Sequence, residues 1–148
     1  MSTDRANDAL GAIGVRVEPK SADEIDVFTL NVVPLLHEIR HALTRLLETG
    51  EPTTIDLGSI PFAPGEFDQL DAALGTGEVR VLLESMGSSQ IYETQFSGVW
   101  RVTHHNAVNE VVGRYVEVTR IPEILLAQEP DVRVGLDLLT RRLSGESD

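Results

Sequence analysis

Between Leu35 and Leu47 the apolar positions fall at Leu35, Leu36, Ile39, Ala42, Leu43, Leu46 and Leu47. Steps of three and four residues put them on one face of an α-helix. The pattern starts near Asn31, Pro34 suits a first turn, and Gly50 with Pro52 supplies a stop. Upstream, "IGVRVEP" (13–19) reads as a short strand or extended arm, and "SADEID" (21–26) as a turn. Downstream, "TTIDLGSIPF" (53–62) reads as extended, turned by Pro61 and Pro64. "PGEFDQLDAALG" (64–75) predicts a short helix with Phe67, Leu70, Ala73 and Leu74 inward.

The period then changes from helical to two. In "EVRVLLE" (78–84), Val79, Val81 and Leu83 alternate with Glu78, Arg80, Leu82 and Glu84. "QIYETQFSGVWRVTHH" (90–105) predicts one long strand with a bulge at Gly98. Regular pairing there puts Tyr92, Thr94, Phe96, Trp100, Val102 and His104 on one face. "EVVGRYVEV" (110–118) is a third strand, joined to the second by the hairpin loop "HNAVN" (105–109). In "PDVRVGLDLLTRRL" (130–143), Val132, Leu136, Leu139 and Leu143 return to helical spacing, with Arg141 and Arg142 suited to the negative end of the helix dipole. The expected fold is α+β: an antiparallel meander of about three strands, packed with two longer helices and one short helix. Residues 1–30 are expected to form a partly disordered arm, 31–143 a single domain, and 144–148 a disordered tail.

Charge narrows the partners. Against 24 acids stand 12 Lys and Arg, a net charge of -12. Nucleic acid and anionic membrane both reward clustered cations, so neither is expected to bind. The chain has no cysteine, which excludes disulfides and thiolate ligation of zinc or an iron–sulfur cluster by this chain alone. No apolar run reaches spanning length and "MSTDRAND" is not a signal peptide, so a cytoplasmic protein is expected.

One string carries explicit chemistry. His37-Glu38-Ile39-Arg40-His41 matches H-E-x-x-H, in which two histidines share zinc and the glutamate acts as base on bound water. At about 100° per residue, however, His37 and His41 fall opposite the apolar face centred on Ile39, alongside Thr44 and Glu48. The longer signature needs Gly at position 44 and His at 47, where this chain has Thr44 and Leu47. Glu66 or Asp71 would have to serve as an acidic third ligand. His104 and His105 are neighbours on a strand and point to opposite faces, so at most one joins the pair. The string is therefore read as a solvated helix face, with no catalytic residues, no metal and no cofactor. The alternatives are a small zinc-dependent hydrolase using His37, His41 and Glu38, or a histidine-based metal carrier.

The strand region is more distinctive. "LGTGEVRVLL", "IYETQFSGVWRV" and "YVEVTRIPEIL", preceded by "PLLHEIRHALTRLLETGEP" and "IDLGSIPFAPGEFDQLDAALG", resemble the C-terminal domain of the HupH/HyaF family of hydrogenase expression and formation proteins. The resemblance runs from about Val33 to Leu126. It implies an accessory protein for making an uptake nickel–iron hydrogenase, chaperone-like rather than enzymatic. The implied partner is a hydrogenase subunit or another maturation factor. Many members of that family carry a further upstream region, whereas about 30 residues precede the main helix here.

Within the family-like strand, Glu93, Thr94, Phe96, Gly98, Trp100 and Arg101 are the expected partner-binding residues. Trp100 reads as a core anchor before an interface anchor. A homodimer is also expected, because a small sheet leaves edges to cover and Leu82, Val99 and Tyr115 would form an apolar patch.

Overall fold

The computed structural model describes residues 22–145, with side chains from residue 31 onward. The expected strand at 13–19 therefore lies outside the described residues, as do most of the arm and the last three residues of the tail. The first helix, α1, spans Ala22–Thr49 and contains Pro34 in its interior. The start near Asn31 is corrected by nine residues. Ser21-Ala22-Asp23-Glu24 has the S-x-x-E form of a capping box, a helix-start signal that its polar composition disguised as a turn. At the other end, the Gly50 N–H donates to the Leu46 carbonyl and the helix stops, as predicted.

Among the described residues the sheet has five strands instead of about three. They are β1 (Thr53–Asp56), β2 (Arg80–Glu84), β3 (Ser88–Glu93), β4 (Val99–His105) and β5 (Val111–Val118). Their spatial order is β1-β5-β4-β3-β2, and every pairing is antiparallel. Thus β2 to β5 form the predicted meander, and β1 adds to its far edge. Two corrections account for the difference. The extended segment after α1 pairs through Ile55 with Val116 of β5. The predicted long strand folds back on itself between Glu93 and Val99, so that Glu93 pairs with Trp100.

That reversal also changes the side-chain phase. Ile91, not Tyr92, pairs with Val102 and shares a face with Trp100. Tyr92 pairs with Arg101 on the other face.

Both faces of the sheet carry a core. On one, Val32, Leu35, Ile39 and Ala42 of α1 pack with Leu70 and Leu74 of α2 (Glu66–Leu74) over Ile55, Val99, Val116 and Val118. On the other, Ile91, Trp100 and Val102 pack with Val81, Tyr115 and Leu125. Val99 is fully buried and Tyr115 packs in the second core, so the apolar patch expected from Leu82, Val99 and Tyr115 is not formed. Leu82 alone of the three is exposed.

A buried carboxylate ties α1 to α2. Glu66, in the first turn of α2, has no exposed surface. Its carboxylate accepts the Ala63 N–H at 2.7 Å, the Asn31 side-chain amide at 2.8 Å and the Asn31 backbone N–H at 3.2 Å. Burial by itself raises its pKa. The donors from Asn31 and Ala63 outweigh burial and hold it below the ordinary value of 4.5.

The last helix, α3 (Glu129–Leu143), forms where predicted but buries none of its residues. It does not pack on the sheet as a two-helix layer would require. No helix among the described residues is long and apolar enough to cross a membrane.

Candidate partner-binding site

The reversal between β3 and β4 is held from inside. Thr94 is buried, and its hydroxyl donates to the Val99 carbonyl at 2.9 Å while accepting the Phe96 N–H at 3.1 Å. The Thr94 N–H also donates to the Val99 carbonyl. Gly98 closes the turn with φ +92°, a conformation that residues bearing a Cβ rarely adopt. Gly77 lets the chain entering β2 pass the same hairpin closely, since a Cβ there would lie 2.5 Å from the Thr94 carbonyl oxygen. Gly98→Ala is therefore expected to cost about 1–3 kcal/mol through backbone strain, read as a lower melting temperature.

The hairpin displays Phe96, which is 44% exposed. Beside it a groove of about 710 Å³ runs between the hairpin and the C-terminal half of α1. Leu43, Leu46, Leu47, Glu93, Gly98 and Arg120 line it. An apolar floor with one acid and one base at its rim suits capture of a peptide or protein surface. The predicted set is thus divided by the fold. Glu93 and Gly98 line this groove and Phe96 is exposed on the same hairpin, whereas Thr94, Trp100 and Arg101 are buried within the chain. Trp100 anchors the second core, and its indole N–H donates to the Thr119 carbonyl at 3.0 Å.

Arg101 was expected at a partner surface, yet only 3% of it is exposed. It points under α2, where its guanidinium pairs with Asp71 and lies 5.6 Å from the centre of the Phe67 ring. Arg114 lies on the same ring at 4.5 Å, and Phe62 stacks on it at 5.1 Å. Burial, with a contribution from Arg114, pushes the Arg101 pKa down to about 10, so it remains cationic at neutral pH. Among the described residues the Arg101 Nε has no hydrogen-bond partner. Apolar alternation in β4 hid this role: an arginine at an inward position reads as a break in the pattern, not as a cation sealed under a helix.

The histidines do not converge. His37, Glu38 and His41 are exposed, and Ile39 between them is buried. His37 Nδ1 lies 3.1 Å from the Arg40 guanidinium. His104 shares a 2.6 Å hydrogen bond with Ser89, on another element. Both acids considered as a third ligand are engaged elsewhere, Glu66 with Asn31 and Asp71 with Arg101. Among the described residues, no group of three or more histidines and acids is arranged to hold a metal ion.

Fold and surface define a small α+β protein built around an antiparallel meander, with a groove between its β3–β4 hairpin and α1. Residues 29–145 match the family model described as HupH hydrogenase expression protein, C-terminal conserved region, and the chain belongs to that family. It is 30% identical over 104 residues to the hydrogenase expression/formation protein HupH of Rhizobium leguminosarum bv. viciae, covering 70% of this chain and 37% of that protein. It is 30% identical over 115 residues to the hydrogenase expression/formation protein HoxQ of Cupriavidus necator, covering 77% of this chain and 40% of that protein. The chain thus spans about two fifths of the length of these curated relatives. A solved structure, the hydrogenase expression protein HupH from Thiobacillus denitrificans ATCC 25259, is similar with a TM-score of 0.75 and 43% identity. That likeness covers 78% of this chain and 96% of the other.

Proposed function

We propose that this protein is an accessory factor for maturation of a nickel–iron hydrogenase in the cytoplasm, acting by chaperone-like binding of a hydrogenase subunit or another maturation factor. Family membership supports the hydrogenase assignment. The observation that carries the binding role is the hairpin groove, an apolar floor rimmed by Glu93 and Arg120, on the same hairpin that exposes Phe96. In this reading Phe96 inserts into the partner and Glu93 selects its charge. Thr94, Trp100 and Arg101 act indirectly by fixing the hairpin and the strand beneath it. No catalysis and no cofactor enter the reading.

The test is capture of partners from hydrogenase-expressing cells, followed by mass spectrometry, with wild type and Phe96→Asp/Glu93→Arg. Both positions are at least partly exposed, so the variant should keep the wild-type melting temperature. It should lose capture of hydrogenase components by roughly tenfold or more, as removal of an interface anchor does. Undiminished capture and undiminished hydrogenase activity would refute the groove assignment.

A further inference from the structure

The sheet ends at β2, which among the described residues pairs on one side only, with β3. An edge strand leaves the N–H and C=O groups of every second residue without a ladder partner. The bonds flanking β2 show which residues these are. The Val79 carbonyl accepts the Glu93 N–H, and the Ser85 N–H donates to the Gly87 carbonyl. The odd-numbered positions therefore turn their backbone toward β3, where Val81 lies opposite Ile91 and Leu83 opposite Ser89. Alternation turns the backbone groups of Arg80, Leu82 and Glu84 outward. The same three residues have exposed side chains, Leu82 to 58%.

Edges are commonly protected by proline, a bulge or charge. β2 contains no proline, and its register with β3 is unbroken. Its charges have opposite signs and stand at equal distances from Leu82, in the order Arg80-Val81-Leu82-Leu83-Glu84. A second β2 laid antiparallel, with the two-fold axis at Leu82, sets each Arg80 opposite the other copy's Glu84. Val81 then meets Leu83, and Leu82 meets its own counterpart. Residues directly opposite in an antiparallel pair share a face, so charge meets charge on one side and apolar meets apolar on the other. The three residues with outward backbone groups are the ones that exchange hydrogen bonds in this register. A slip of two residues puts leucine against both charges, and a slip of four sets arginine on arginine or glutamate on glutamate.

Both charges are available for this pairing. Neither Arg80 nor Glu84 forms an ion pair among the described residues. Arg80 lies 5.8 Å from the centre of the Tyr92 ring, a contact that a guanidinium can keep while its N–H groups bind a carboxylate.

We propose that β2 is a homodimerisation edge, pairing antiparallel with β2 of a second copy about Leu82 and joining the two sheets into one. The arrangement satisfies the outward backbone groups and covers Leu82 on both chains at once, as a two-fold interface must. This dimer does not rest on the hydrogenase assignment, and its test can fail without touching that reading.

Light scattering across the micromolar range should give twice the 16.2 kDa of the chain. Arg80→Glu sets glutamate against glutamate twice and should weaken the dimer roughly tenfold, with an unchanged near-ultraviolet signal from Trp100. Arg80→Glu/Glu84→Arg exchanges the signs and should restore it. Because the chain is free of cysteine, register can be read by oxidation. Leu82→Cys should cross-link to itself, and Arg80→Cys should cross-link to Glu84→Cys when the two are mixed. Arg80→Cys should not cross-link to itself, since the two copies of that position lie about 13 Å apart, beyond the reach of a disulfide. A monomeric wild type, a dimer insensitive to Arg80→Glu, a double exchange that fails to restore it, or self-linking of Arg80→Cys would overturn the proposal.

Discussion

Arg101→Glu is expected to lower the melting temperature by about 10 °C or more. The substitution replaces the buried partner of Asp71 with a second carboxylate and removes the guanidinium from the Phe67 ring. Breaking a buried pair in this way costs about 3–5 kcal/mol, because a charge is left without compensation in a poorly solvated place. Arg101→Met provides the contrast. It fills a similar volume without charge, and Asp71, being 45% exposed, can return to water. That variant should lose no more than about 1–2 kcal/mol, chiefly the cation–π contact and the ion pair. Thermal unfolding of both variants checks the account. Equal melting temperatures for Arg101→Glu and wild type would mean that the side chain is at the surface, free to meet a partner. If the proposed role in hydrogenase maturation holds, its loss in Arg101→Glu should accompany loss of folded protein, while Phe96→Asp/Glu93→Arg should separate the two.

Glu66→Ala is the second large effect, expected at about 3 kcal/mol. The carboxylate accepts three hydrogen bonds, from Ala63 and twice from Asn31, and bonds to a charged acceptor contribute about 1.5–3 kcal/mol each. Relief of the buried charge offsets part of that sum. Glu66→Gln keeps the shape but offers one oxygen and an unwanted donor, so an intermediate loss is expected. The pH dependence has a fixed sign. The folded pKa lies below the ordinary 4.5, so the stabilisation is complete above that value and disappears as pH falls through the folded pKa. Denaturant titrations from neutral pH into the acid range should show wild type and Glu66→Ala converging as the pH drops. Curves that stay parallel throughout would show that Glu66 contributes packing and no charge-dependent stability.

These two side chains also show where sequence reasoning stopped. Glu66 drew notice only as a remote third ligand for a metal, and Arg101 as a surface contact. Both are charged residues in places where pattern predicts nothing charged and buried. Their roles depend on partners 35 and 30 positions away, Asn31 and Asp71, which no local spacing announces. The hairpin after Glu93 was legible in principle, since Ser97-Gly98 is a turn dipeptide. A single glycine in a β-prone run satisfies either a bulge or a reversal, and only the pairing of Glu93 with Trp100 distinguishes them. The short β1 has four residues, too few for alternation to declare a strand.

What the sequence determined by itself is the set of elements whose signal is periodic and local. The inward face of α1, the outward direction of His37 and His41, the stop at Gly50, the span of α2, the loop before β5 and the α3 stripe all follow from spacing along one helix or strand. The family was legible too, because its motifs are contiguous. The tertiary structure decided what depends on residues distant in the chain. It recruited β1 to the sheet, reversed the chain at Gly98, and buried Arg101 and Glu66 against α2 and α1. It also left the residues of α3 exposed, with none of them buried. The physical reason is the same throughout: periodicity records which face of an element is apolar, while the choice of what covers that face, and which buried charge finds its counter-charge, is made by the packing of the whole chain.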